Sequence, residues 1–335
     1  MTNVYEADTA DQVWRAAALK FSEDGAAKLQ TGRGGVTHEL LHAGFIINNP
    51  RQRWIVSRRP AINPAFAIAE VVWILNGRND AAFLNHWNPK LPLYAGDVQH
   101  YHAAYGFRLR KAFGFDQLER AFNALSSNPD TRQVVLQIWS PRIDFPDTAG
   151  QPVADDIPCN ICALPKIRNN KLEWLQIMRS NDLQRGLPYN FIQFTSLQEI
   201  LAGWLGAGLG AYHHISDSLH VYERDASEVK TIIPVSEMQN SDSLALARSE
   251  SVLVFAELSR VMEALTLQNL SQENLRLLVT SQALPQGYQN MLIVVAADSA
   301  RRRGWFEVSD ELLAGCNNPI LLQTWDRWNA RCKAQ

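Results

Sequence analysis

The chain has 335 residues, of which 46% are hydrophobic and 20% charged. That is ordinary for a globular protein and leaves ample volume for a core. A formal net charge of −2 excludes a global basic field, so nucleic acid and anionic membrane are not expected partners, and a small anionic ligand would need a local arginine cluster. In chain order, residues 10–29 predict a short helix, and residues 30–45 turn through glycines into a strand-like stretch. Residues 63–77, "NPAFAIAEVVWILNG", predict a helix closed by Gly77. Residues 65–75 within it are apolar but too few to span a membrane, and they contain Glu70. The segment 78–106 reads as irregular, and 115–130 as a helix ending in a turn. Residues 132–140, 159–167 and 171–180 predict strands, the last two joined by "RNNK". Residues 191–206 show a helical period, and 216–225 a short strand.

From about residue 226 the pattern becomes helical. The expectation is a mixed α+β region over 1–229 followed by a helical region over 230–335. The opening "MTNVYEADTADQVW" has no positive stretch followed by an apolar run, so no secretory signal is expected. Four cysteines, Cys159, Cys162, Cys316 and Cys332, are too few for a disulfide scaffold and imply a reducing cytoplasm.

The "PCNIC" of residues 158–162 admits several chemistries. A zinc site needs four ligands, and no second close pair exists, since Cys316 and Cys332 stand apart and His213 and His214 are adjacent. A redox pair belongs at a strand-to-helix junction, whereas this stretch continues as a strand. Two half-buried small hydrophobes and a single nucleophile remain open. Strand alternation puts Cys159 and Cys162 on opposite faces, so at most one looks into a given cleft.

Residues 178–190, "MRSNDLQRGLPYN", shift the balance. Taken singly, Asn190 reads as a helix N-cap and Arg179 as a surface cation. Together with Ser180 and Asp182 they form an ordered polar set before an apolar helix. This block resembles the thymidylate synthases' "QRSxDxxLGLPFN". The cysteine stretch resembles that family's "PCH", "DTRQVVLQIW" its "DSRR" segment, "EVVWILNGRND" its "ELLWFLxGxTN", and "SDSLHVYERD" its "GDxHxY". The order and spacing are similar over residues 20–225.

The resemblance implies an α+β fold, a mixed bent sheet flanked by helices, assembled as a homodimer with the sheets back to back. It implies a folate-dependent one-carbon transfer to C5 of a uridylate, UMP or dUMP, with 5,10-methylenetetrahydrofolate as co-substrate and no metal. Cys159 corresponds to the cysteine whose thiolate adds to C6 of the uracil ring, which needs a nearby positive charge. Arg179 and Ser180 correspond to phosphate ligands, Arg33 to the N-terminal phosphate-loop arginine, and Arg132 to an arginine contributed by the partner subunit. Asn190 corresponds to the base-reading asparagine, whose amide matches the N3–H donor and O4 acceptor of uracil. His220 and Tyr222 correspond to groups holding the sugar 3′-hydroxyl. Glu70 corresponds to the carboxylate that organises proton transfer at O4, and Tyr105 to the tyrosine near C5. Asp182 and Gly186 correspond to folate contacts.

The sequence departs from the family at Gln133, Asn160 and Met178, where arginine, histidine and glutamine are usual. "WNPKLPLYAGD" stands where the family has the tryptophan-rich "IWDEW", and the chain ends in helical sequence instead of an "APVAV"-like tail. Both missing parts shield the intermediate from water. Their loss favours attack by water, hence hydroxymethylation, slightly over reductive methylation of dUMP to dTMP. A catalytically silent nucleotide-binding homologue is the alternative from another class, and the joint presence of Cys159, Glu70, Arg179, Asp182 and Asn190 disfavours it.

Overall fold

The computed structural model describes residues 3–334 except 24, 33, 232, 233 and 235. Its centre is a seven-stranded mixed sheet in the order β1-β3-β7-β6-β5-β4, with β2 paired to β3 off that path. The strands are β1 (Asn3–Ala7), β2 (Lys28–Gly32), β3 (Gly35–Ile47), β4 (Leu136–Gln137), β5 (Asn160–Arg168), β6 (Lys171–Asp182) and β7 (Gly208–Tyr222). The β5–β6 turn is made by Asn169 and Asn170, at φ 51° and 58°, the left-handed pair that a tight two-residue hairpin demands. β7 runs parallel to β6 and antiparallel to β3.

The helices that matter for the site are α1 (Ala10–Phe21), α2 (Pro64–Leu75), α3 (Ala81–Trp87), α4 (Gln117–Ser127) and α5 (Leu187–Leu205). The C-terminal region adds α6 (Arg248–Thr266), α7 (Gln272–Thr280), α8 (Gln286–Arg302), α9 (Phe306–Leu313) and α10 (Pro319–Lys333). α2 starts where the Asn63 side chain accepts the Phe66 N–H and Pro64 takes the first turn. Eleven of its twelve side chains are buried, because α2 lies between α5 on one side and α6, α8 and α10 on the other. A helix apolar on every face needs such a surround. Apolar side chains before and after residue 230 accordingly form one continuous buried cluster.

Two expectations shrink or grow. The strand over 132–140 reduces to Leu136–Gln137. There the Gln117 side chain serves the Gln137 backbone, donating to its carbonyl at 2.9 Å and accepting its N–H at 2.7 Å, so a side chain replaces a ladder. The strand over 216–225 is the end of the fifteen-residue β7, whose alternating glycines and polar residues concealed its first half.

The sheet has two unlike faces. On the helix side, Phe45, His214, Gln176 and Ala163 form a buried cross-strand row, with Ile47, Tyr212 and Trp174 in the next. On the other side, Ile46, His213, Leu175 and Leu164 stand in register and are only half-buried, as are Ile215, Ile177 and Cys162.

Candidate active site

Cys159 lies one residue before β5, half-buried, in a turn held by Arg179. The Arg179 guanidinium donates Nε to the Pro158 carbonyl at 2.9 Å and Nη2 to the Ile157 carbonyl at 3.0 Å. The Arg179 backbone N–H donates to the Cys159 carbonyl at 2.8 Å. The arginine therefore clamps the Cys159 turn from both its side chain and its main chain.

The parity argument for the two cysteines fails. The register shifts between Asn160 and Cys162, and a bulge breaks the alternation that the count assumes. What distinguishes them is surroundings. Cys162 pairs with Ile177 on the half-exposed sheet face, and burial pushes its thiol up.

Tyr105 opens a short helical turn and packs its ring against Phe194 of α5, with centroids 5.9 Å apart. Burial drives its hydroxyl well above the usual range, and the charges that Cys159, Asp156 and Glu70 carry once ionised add to this while Arg179 opposes it. These four groups thus share one electrostatic environment with Tyr105. The segment is pinned by buried Arg108, which donates two 2.9 Å bonds to the carboxylate of buried Asp144 and two, at 3.1 and 2.9 Å, to the His102 carbonyl. Burial alone would raise Asp144, but Arg108 holds it below the usual carboxylate range.

Glu70 is the one interruption of α2's apolar surface. Its Oε2 is buried with no hydrogen-bond partner among the described residues. Burial pushes its pKa up to about 8, partly offset by a hydrogen bond from Gln193. Gln193 follows Asn190 by three residues on α5, so both face the same way.

Asn190 is not the N-cap. α5 begins at Leu187 with Gly186 before it and no side-chain cap. Its buried amide instead donates Nδ2 to Asn181 Oδ1 at 3.1 Å. Asn181 Nδ2 in turn lies 3.1 Å from His214 Nε2 and 3.2 Å from Ser216 Oγ. His214 Nδ1 meets the Tyr212 hydroxyl at 3.0 Å. Gly186 stands against this chain: a Cβ there would lie 2.9 Å from Asn181 Oδ1 and 3.6 Å from Asn190 Nδ2.

Asp182 ends β6, and its Oδ1 accepts the backbone N–H of Gln184 at 2.7 Å and Arg185 at 2.9 Å. Its Oδ2 faces Arg185 Nε at 4.0 Å. Burial raises its pKa against these hydrogen bonds and the nearby His220. Tyr94, in the segment replacing the tryptophan-rich motif, holds its ring centroid 5.2 Å from the Arg185 guanidinium carbon. His220 and Tyr222 lie edge to face at the end of β7, 5.5 Å between centroids. Ser180 is half-buried on β6 beside Ser218.

Arg132 is exposed and outside this group, as is Gln133. Arg33 lies outside the described residues. Met178 is fully buried. Asn160 is fully buried too, its Oδ1 accepting Gln176 Nε2 at 2.6 Å while its Nδ2 has no partner among the described residues. Sequence reasoning missed Asn181, His214, Ser216, Gln193 and the Arg108–Asp144 pair. Only Gln193 carried a signal, its three-residue spacing from Asn190. Among the described residues no group of three or more His, Cys, Asp or Glu could hold a metal ion, and no helix is long and apolar enough to cross a membrane.

A half-buried cysteine in an arginine-held turn, a raised carboxyl, a buried tyrosine and a relayed amide are thus carried by one mixed sheet and its helices. The thymidylate synthase family model matches residues 33–273, and the chain belongs to that family. It is 37% identical over 204 residues to a deoxyuridylate hydroxymethyltransferase of Bacillus phage SP01, covering 58% of this chain and 52% of the relative. A deoxyuridylate hydroxymethyltransferase of Pseudomonas phage M6 is 34% identical over 54% of this chain and 50% of its own length. A putative thymidylate synthase of Methanothermobacter marburgensis is 26% identical over 66% of this chain and 93% of its own. The chain spans about half the length of the phage relatives it matches.

Proposed function

We infer that the chain transfers a one-carbon unit to C5 of a uridylate-type nucleotide through a Cys159 adduct at C6, and that hydroxymethylation is the outcome. The observation that carries this is the shared environment of Cys159, Tyr105, Glu70 and Arg179. Thiolate addition to C6 pushes electrons through C5=C6 onto O4. Glu70, with a pKa near 8, holds its proton at neutral pH and donates it toward that oxygen. Tyr105 keeps its own proton, so the proton that leaves C5 passes to a water molecule, which the tyrosine oxygen positions as a hydrogen-bond acceptor. Arg179 supports the thiolate, and two of its five donors already hold the cysteine turn, leaving others for the phosphate beside Ser180. Asn190 reads the base, while His220 and Tyr222 hold the sugar.

Methylenetetrahydrofolate supplies the carbon at the oxidation level of formaldehyde. Asp182 suits its pterin, since an inward carboxylate oxygen near Arg185 can accept N–H donors, and Gly186 leaves room for close approach. The hydroxymethyl outcome is favoured by the phage relatives named deoxyuridylate hydroxymethyltransferase and by the exchange of the tryptophan-rich segment for residues 87–97. Reductive methylation is the second outcome, favoured by the relative named putative thymidylate synthase. Water attacks C5's activated carbon to give an alcohol, whereas hydride gives a methyl group and dihydrofolate.

Two copies pack through the half-exposed face of Leu164, Leu175, Ile177 and Ile215. Arg132, exposed in one protomer, then serves the partner's phosphate. The catalytic groups all precede residue 230, and the region 230–335 acts as the buttress of α2. The site of action is the cytoplasm, in keeping with four cysteines that form no disulfide among the described residues. Mass spectrometry of products from UMP, dUMP, CMP and dCMP with methylenetetrahydrofolate tests the whole scheme. A hydroxymethyl uridylate without dihydrofolate supports it; a methyl product selects the second outcome. No release of tritium from C5-labelled uridylates selects a catalytically silent nucleotide binder.

A further inference from the structure

An amide reads a pyrimidine only if its oxygen and nitrogen are the right way round. For uracil the oxygen must meet N3–H and the nitrogen must meet O4; cytosine, with N3 as acceptor and the N4 amine as donor, asks for the reverse. A free Asn190 could turn over and serve either. Here it is not free, because its Nδ2 is tied to Asn181 Oδ1 at 3.1 Å. Oδ1 and the second Nδ2 hydrogen of Asn190 are what remain for the base, and that is the uracil pattern.

The sense of Asn181 is set one step deeper. Its Nδ2 faces His214 Nε2 and Ser216 Oγ, and Nε2 and Ser216 Oγ are themselves 3.1 Å apart. With Nε2 accepting from Asn181, the ring proton sits on Nδ1, donated to the Tyr212 oxygen at 3.0 Å. His214 is 1% exposed and packed edge-on by Phe45 and Phe191, 5.9 Å and 5.4 Å between centroids. That apolar wall keeps it neutral. Moving the proton to Nε2 would turn Asn181 over, then Asn190, and give the cytosine pattern. Gly186 leaves the space in which the two amides meet, since a Cβ there would crowd Asn181 Oδ1 at 2.9 Å.

We propose that Asn181, oriented by His214 and Ser216, is a positioning residue that fixes the sense of the Asn190 amide and thereby the preference for uracil over cytosine. The inference rests on the uridylate function above. The experiment compares kcat/KM for tritium release from C5-labelled dUMP and dCMP in the native chain, N181L, N181D and H214F, with thermal unfolding of each. In N181L and H214F the uridylate-to-cytidylate ratio drops about tenfold or more, a loss of about one hydrogen-bonded base contact. N181D keeps an acceptor toward Asn190 and retains the ratio. Folded N181L and H214F with native ratios overturn the proposal and leave the function intact. If either variant fails to fold, 15N spectra of His214 in the native chain decide: a bare Nε2 supports the proposal, and a protonated Nε2 overturns it. A native chain that releases no tritium from dUMP overturns the function and the inference with it.

Discussion

The Arg179 guanidinium donates to the carbonyl of Pro158 at 2.9 Å, one residue before Cys159. An arginine on the neighbouring strand thus shapes the cysteine's turn. Arg179→Lys keeps the charge but loses the fork. We expect kcat/KM for a uridylate to fall about a hundredfold, since both the turn contacts and the phosphate fork are lost. Alkylation of Cys159 by iodoacetamide at pH 7 should slow in parallel. Unchanged alkylation would show that the arginine serves the phosphate alone.

Glu70 should act in two measurable ways. Its folded pKa near 8 lies above the usual 4.5, so its contribution to stability is full below about 4.5 and is lost as pH rises toward 8. Glu70→Gln removes that loss and should stabilise the chain at pH 8 by at least about 1 kcal/mol while lowering turnover about a hundredfold. Melting temperatures at pH 5 and pH 8 check the first effect: a gain equal at both would show that the group is not shifted.

His214 runs the other way. Burial lowers its pKa from 6.5 to about 3, and burial with Arg302 and Arg303 lowers His86 to about 4. Stability from these neutral rings is present above pH 6.5 and is lost as pH falls through those values. The native chain should therefore soften between pH 6 and pH 4, and H214F should soften less steeply in the same denaturant series.

Arg108 and Asp144 hold the Tyr105 segment through a buried, two-pronged pair. Asp144→Asn leaves a buried guanidinium without its counter-charge and should cost about 3–5 kcal/mol. Urea unfolding measures this; a loss under 1 kcal/mol would place the pair among ordinary surface contacts.

The half-exposed sheet face predicts assembly. Ile177→Glu should shift sedimentation toward a single chain and abolish turnover. Mixing the inactive variants C159A and R132A should restore part of the activity, because a mixed dimer holds one site with both residues native. No recovery would place Arg132 in its own subunit's site or in none.

What the sequence decided by itself was the family, and it supplied the candidates for the reacting groups. Cys159, Arg179, Asp182, Gly186 and Asn190 sit in short contiguous stretches whose order is readable without a fold. It also settled the β5–β6 hairpin, because two asparagines in a four-residue turn leave few backbone choices. The helices at α2 and α4 were legible too, though the predicted spans of 63–77 and 115–130 overran the observed Pro64–Leu75 and Gln117–Ser127 at both ends. What only tertiary structure decided were relationships between residues far apart along the chain. The bulge after Asn160 undid the strand count, since one extra residue reverses every later side chain. Asn190 left its expected capping role because α5 begins three residues earlier, and its partner became Asn181. The chain from Tyr212 through His214 to Asn190 crosses two strands and a helix, so no local pattern announces it. Burial supplies the energy that makes each of these long-range contacts specific, and burial is a property of the folded chain alone.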